Sequence, residues 1–308
     1  MSYQITVDWS PAYELIASLR AYVRESPKTL ELPGDWWEHA RSSVGPDLVT
    51  EDEFHSTGWL YLFAWLSPSK QDIPGFLHWL ETRSVGEFYE LLAPYIGKGC
   101  PALPRDLGAA RDAAARFLRR WHEGYFRTVD PAILRALEAE AAALRREATE
   151  RHPEDLFERA THGIRFTPGP EVQTALLVPQ YHYRPLDLQQ QWRGLRLCLY
   201  PADVLPPAPG EPPPMLPRLA RALDDHNRLR ILRALAETPQ SFGEIVQQNG
   251  LAKSTVHYHL TLLRAAGLLG EEDTGSFLSP VYRLRPSALD DLDHMLRQFL
   301  SGESRGSR

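Results

Sequence analysis

A chain of 308 residues, 43% hydrophobic and 24% charged, is long enough for two domains with cores of their own and too apolar to be globally disordered. No run of eighteen apolar residues occurs, which excludes a membrane-spanning helix, and Met1–Asp8 has neither the basic nor the apolar part of a secretory signal. Two cysteines, Cys100 and Cys198, are too few for a disulfide framework or a structural zinc site, and point to a reducing, cytoplasmic setting. The net charge of −6 excludes a uniformly basic coat, but the charge is uneven. Residues 1–214 carry 22 basic and 29 acidic side chains, whereas residues 215–308 carry 12 and 11. Any affinity for nucleic acid is therefore expected in the last third, through local placement of cations. All eight tryptophans lie between Trp9 and Trp192.

In chain order, Tyr3–Trp9 alternates and reads as a strand. Ser10-Pro11 is a cap with proline at the first helical position, and Tyr13, Ile16, Leu19 and Val23 give a helix to about Arg24. Thr50-Glu51-Asp52-Glu53 is a capping box opening a helix over Phe54–Leu66, and Ser84-Val85-Gly86-Glu87 another, before Phe88–Tyr95. Arg105–Gly124 and Asp130–Arg151 read as long amphipathic helices. Gly163–Phe166, Val172–Tyr183 and Leu195–Tyr200 are β-rich, and are expected to form a small antiparallel sheet with the Tyr3–Trp9 strand. The class expected is α+β: a helical N-terminal domain with one small sheet over residues 1–205.

Pro206–Pro214 holds six prolines in nine residues, a semi-rigid extended spacer, so a second domain is expected over 215–301, with a disordered tail at 302–308. In that domain Leu216–Leu223 reads as a helix, and Asn227 caps a second with Leu229, Ile231, Leu232 and Leu235 apolar. Ser241-Phe242-Gly243-Glu244 is a third capping box, Asn249-Gly250 a stop, and Ala252–Ala266 a further helix ended by Gly267. Leu268–Glu271 and Val281–Leu284 flank a turn as a hairpin, and Ser287–Leu300 is a last amphipathic helix. The order is that of a winged helix-turn-helix.

Three stretches, Leu229–Ala236, Gly243–Val246 and Lys253–Leu269, resemble the ArsR family of bacterial transcriptional repressors. The resemblance covers about residues 216–300. It implies a dimer that places the Lys253-led helix in the DNA major groove, with the preceding residues serving as a sensing or interaction domain. Two positions depart from the family pattern. Ala252 stands where a serine or threonine usually caps the recognition helix, a loss of roughly 1 kcal/mol. The wing carries Glu271, Glu272 and Asp273, where family wings are basic.

The residues support the same expectation. Val256, Leu260 and Leu263 recur on one helix face, which turns Lys253, Ser254, Thr255, His257, Tyr258 and Thr261 outward or to the flanks. Ser254, Thr255, His257 and Tyr258 are candidates for base edges and Lys253 for phosphate. His259 either meets phosphate or packs at the helix face. Arg283 and Arg285 flank the hairpin and are placed to reach the DNA backbone.

Metal and catalytic chemistry find little support. The segment Gln240–Val246 has none of the cysteines that metal-sensing members of the resembled family use, and Asp290, Asp291, Asp293 and His294 have no later histidine to complete a site. His257 and His259 diverge by roughly 200° around a helix and are no ligand pair. No H-E-x-x-H, glycine-rich phosphate loop or G-x-S-x-G is present, and Cys100 and Cys198 lack a base nearby in sequence. No metal, no cofactor and no enzymatic activity are expected. Trp36, Trp37, Trp59, Phe63 and Trp79 form either a helical core or the lining of a pocket for a small apolar effector. The function expected is a homodimeric, sequence-specific DNA-binding regulator of the repressor type. The alternative, favoured by the acidic wing, is an interaction module whose winged helix docks a protein.

Overall fold

The computed structural model describes residues 3–24, 28–45, 48, 58–97, 100, 103–166, 172–273 and 280–302, the side chain of Asp273 excepted. The chain divides into two compact units: Met1–Glu150 with Pro168–Val204, and Arg151–Thr167 with Leu205–Arg308.

The first unit opens with β1 (Gln4–Val7) and α1 (Pro11–Arg24), proline at the first helical position as expected. There follow α2 (Trp36–Val44), α3 (Leu60–Leu66), α4 (Ile73–Thr82), α5 (Val85–Leu92), α6 (Leu107–Gly124) and α7 (Pro131–Glu147). Both halves of the Ser84–Glu87 capping box are made, whereas the Thr50–Glu53 box lies outside the described residues. The next two elements, α8 (Pro153–Ala160) and β2 (Ile164–Phe166), belong to the second unit. The chain then returns for β3 (Val172–Gln180), β4 (Leu188–Trp192) and β5 (Gly194–Pro201).

The sheet of this unit runs β1-β3-β5-β4 and is mixed, not antiparallel as expected. β1, β3 and β5 are parallel, and only β4 runs against β5. The physical reason is burial on both faces. Ala175–Val178 on β3 and Leu197, Cys198 and Leu199 on β5 are continuously buried, the pattern of parallel strands covered by helices. β4 lies on the far side of β5, so the hairpin it makes leaves β5 parallel to β3.

α6 packs against α1, α2 and α4, and its Trp121 and Leu118 are fully buried. A hydrogen-bonded chain is buried beside them. Trp36 Nε1 donates to the Tyr125 hydroxyl at 2.7 Å, and that hydroxyl lies 2.8 Å from His182 Nε2. An indole nitrogen only donates, so the phenol accepts it and keeps its own proton for His182. His182 Nδ1 then carries a proton for Glu14 Oε1 at 2.6 Å, and the Tyr181 and His182 amides donate to the same carboxylate. Each polar atom of this chain has a partner, as burial requires.

The second unit adds α9 (Met215–Leu223), α10 (His226–Glu237), β6 (Gln240–Ser241), α11 (Phe242–Asn249), α12 (Lys253–Ala265), β7 (Leu269–Asp273), β8 (Val281–Leu284) and α13 (Ser287–Ser301). The expected order of helices and hairpin is present. Asp225, not Asn227, caps α10, its carboxylate accepting from the Arg228 amide at 3.0 Å. Leu219, Ile231, Leu235, Ile245, Val256, Leu260, Leu263 and Leu268 close one core. The sheet runs β2-β7-β8-β6. Ile164–Phe166, expected in the N-terminal sheet, instead pairs in parallel with the wing strand, Ile164 opposite Glu271 and Phe166 opposite Asp273. The exposed edge of β7 has unpaired backbone groups to satisfy, and β2 satisfies them. The hairpin tip and tail residues 303–308 lie outside the described residues.

Candidate nucleic-acid interface

The turn between α11 and α12 is set by local chemistry. Ser241 and Glu244 form a complete capping box at the start of α11, and Gly250 ends it at φ 65°, a left-handed position suited to glycine. α12 starts without a side-chain cap at Ala252, as expected. Its rotation is fixed by Val256, Leu260 and Leu263, all buried against α10 and α11.

That rotation exposes Lys253, Ser254, His257 and Tyr258 and leaves Thr255 and Thr261 half-buried. The Thr261 hydroxyl donates back to the His257 carbonyl at 2.8 Å, so it is engaged within its own helix. Four of the expected residues thus share one open polar face. It offers an ammonium, a hydroxyl, an imidazole and a phenol, groups whose chemistry suits phosphate oxygens and base edges.

His259 is not on that face; of its two expected roles, its burial fits packing at the helix and not a phosphate contact. It is buried, with Nδ1 3.5 Å from Arg228 Nη1. Burial pushes its pKa below the ordinary 6.5, the Asp225 carboxylate opposes that, and the Arg228 guanidinium adds to it. A neutral imidazole inside the domain does not serve as a phosphate cation. Arg228, which sequence reasoning missed, lies beside it. Its guanidinium is buried and donates to the Ala222 carbonyl and the Arg221 carbonyl, each at 2.7 Å, tying the end of α9 to α10 and α12. Apolar neighbours Ile231 and Leu232 on the same helix were the only hint that this arginine faces inward.

The wing also differs from expectation. Arg283 donates to Glu158 of α8 at 2.5 Å, and Arg285 donates to the His162 and Gly267 carbonyls at 3.0 and 2.6 Å. Neither is an open phosphate contact here. Glu271 is buried and paired with Arg264 at 3.0 Å, so it is not displayed as an acidic surface. Glu272 is half-buried, and the Asp273 side chain lies outside the described residues.

The aromatic residues of the first unit fall into two packed groups. Phe63 meets Trp59 at 5.0 Å, Trp79 at 5.8 Å and Phe88 at 4.4 Å, all near edge-on. Trp36 meets Trp37 at 5.1 Å, Trp121 at 6.2 Å and Tyr125 at 5.4 Å. All five expected pocket residues are buried, and these rings contact one another in the manner of a core. Among the described residues no group of three or more histidine, cysteine or acidic side chains is placed to hold a metal ion. No described helix is long and apolar enough to cross a membrane.

A family model described as a helix-turn-helix domain matches residues 223–271. Among solved structures, the chain is similar to an ArsR-like transcriptional regulator from Rhodococcus sp. RHA1, at 24% identity, over 29% of this chain and 81% of that one, with a TM-score of 0.26. It is also similar to HlyU from Vibrio cholerae N16961, at 24% identity, over 28% of this chain and 92% of that one, with a TM-score of 0.23. No curated protein matches.

Proposed function

We propose that this chain is a DNA-binding transcriptional regulator of the ArsR type, acting as a repressor, with α12 as its recognition helix. One observation carries the reading. The helix-turn-helix match at 223–271 contains α12, whose open face presents Lys253, Ser254, His257 and Tyr258 while its opposite face closes the core. The test is a duplex-binding titration with the sequence upstream of the gene, competed by unrelated DNA. Preferential binding supports the reading, and equal binding to both duplexes counts against it.

The same reading includes a homodimer, because one recognition helix covers too few bases for high specificity and two-fold pairs are the usual solution. α13 supplies the surface: Leu289, Leu296, Phe299 and Leu300 are 43, 42, 38 and 73% exposed on one short helix. α9 buries Leu216, Leu219 and Ala222 in its own unit and does not share that role. The mass of the full chain in solution tests the pairing, with Leu296→Glu and Phe299→Glu together expected to give monomers. The first unit is assigned the regulatory part. A small apolar effector remains part of this proposal, and its binding would have to open the packed rings around Phe63 or Trp36. Quenching of tryptophan fluorescence by apolar compounds tests it. The competing idea of a protein-docking wing has less support, since Glu271, one of its three carboxylates, is buried in an ion pair.

A further inference from the structure

The segment Arg151–Thr167 leaves the first unit after α7, joins the second, and returns to the first at β3. In the second unit it supplies α8 and β2, and with them the Glu158 carboxylate at the wing. Glu158 of α8 accepts from Arg283 Nη2 at 2.5 Å and from Arg165 Nε, and lies 3.9 Å from Arg285 Nε. These pairs hold its carboxyl below the ordinary 4.5 although burial, the largest influence, works to raise it.

The strands are shaped around the two wing arginines. Gly270 of β7 stands opposite Arg283 of β8, and a Cβ there would lie 2.8 Å from Arg283 Cζ and 3.0 Å from its Cγ. The missing side chain lets Arg283 lie flat across β7 toward Glu158. Gly163, at φ 127°, is passed in the same way by Arg285, whose Cδ would be 2.5 Å from a Cβ. Backbone bonds complete the join: the Glu271 amide donates to the Gly163 carbonyl at 3.0 Å.

We propose that this segment is an autoinhibitory latch, in which Glu158 holds the wing arginines Arg283 and Arg285 away from DNA phosphate. The proposal rests on the DNA-binding reading above. A free winged domain uses hairpin cations to grip the backbone beside the groove. Here both are occupied by a segment whose two ends continue into the first unit. A change there that displaces α8 and β2 would release Arg283 and leave Arg285 held only at the Gly267 carbonyl, raising affinity without altering the base-reading face of α12. The latch thus gives the first unit a covalent route to the strength of DNA binding.

Two substitutions in the full chain break the latch in different ways. Glu158→Gln removes its charge. Gly270→Ala leaves net charge unchanged and displaces Arg283 through the new methyl group. The Arg283 side chain has to swing away from Cγ outward while no backbone atom is crowded, so the fold should tolerate it, which far-ultraviolet circular dichroism and thermal unfolding check. Both variants should elute later than wild type from heparin and bind duplex DNA about three- to tenfold tighter. The slope of log affinity against log salt should steepen by roughly 0.9 for each arginine engaged. Adding Arg283→Ala to either should cancel most of the gain. If folded Glu158→Gln and Gly270→Ala proteins match wild type on heparin, the latch is wrong. If only Glu158→Gln elutes later, simple charge removal explains it and the latch is likewise overturned. If both elute later from heparin yet no form binds duplex DNA, the latch stands as a polyanion switch and the DNA-binding reading falls.

Discussion

Single side chains divide sharply between the two faces of α12. His257 and Tyr258 are exposed beside Lys253 and Ser254, so changing both to alanine should remove sequence preference at a cost of about 1–3 kcal/mol per lost base contact. Competition between specific and unrelated duplexes measures it, and an unchanged preference would remove base reading from these two residues. Lys253→Ala should flatten the salt slope by about 0.9 for each protomer, roughly 1.8 for the dimer. His259→Gln should leave that slope as it is, because the imidazole is buried and its pKa is held below 6.5 by burial. Arg228 belongs to the same interior. Arg228→Met would strip donors from the Ala222 and Arg221 carbonyls, and chemical denaturation should show a loss of about 2–3 kcal/mol. The inward turn of Arg228 and His259 was legible only as helical phase. Charge argued for the surface, whereas periodicity beside Ile231 and Leu260 argued for the core, and periodicity won.

Elements were read best where their ends carry local chemistry. The Ser84–Glu87 and Ser241–Glu244 boxes are both complete, because a hydroxyl and a carboxylate three residues apart satisfy amides without help from distant residues. α4 was not singled out, although Asp72-Ile73-Pro74 is a capped start and its carboxylate accepts from the Gly75 amide at 2.8 Å. Strand pairing was the least legible part. Gly163–Phe166 read as a strand, yet its partner β7 lies over a hundred residues downstream, and no local signal marks such a pairing. Ala252→Ser should stabilise the second unit by about 1 kcal/mol by capping α12, provided thermal unfolding is followed with DNA absent. The join of α8 to the wing should weaken in acid. The Glu158 carboxyl is held below 4.5 in the folded chain, so its contribution is present in full above that value and fades as pH falls through the lowered one. Protection of the β2 amides against hydrogen exchange, taken relative to the intrinsic rate at each pH, should therefore fall below pH 4.5 in wild type, with a smaller change in Glu158→Gln.

At the scale of the whole molecule, the proline-rich stretch Pro206–Pro214 is a real break in composition but not the only crossing between the two units. Arg151–Thr167 crosses as well, so the domain boundary drawn at the linker misses one piece of the winged fold. A protease site placed within 206–214 should accordingly yield two fragments that stay together on size exclusion, held by the pairing of β2 with β7. Fragments that separate without denaturant would contradict that pairing. The fragment 215–308 alone would expose the bare edge of β7 and is expected to associate through it. The central claim, that α12 grips DNA within a two-fold regulator, is tested most directly by the salt dependence of binding to the upstream duplex. The full chain should bind at low salt in a ratio of two chains per duplex site, and log affinity should fall linearly with log salt with a slope of at least about 1.8, roughly 0.9 from Lys253 of each protomer. Binding that ignores salt, or no binding at the lowest salt in both wild type and Glu158→Gln, would contradict the account.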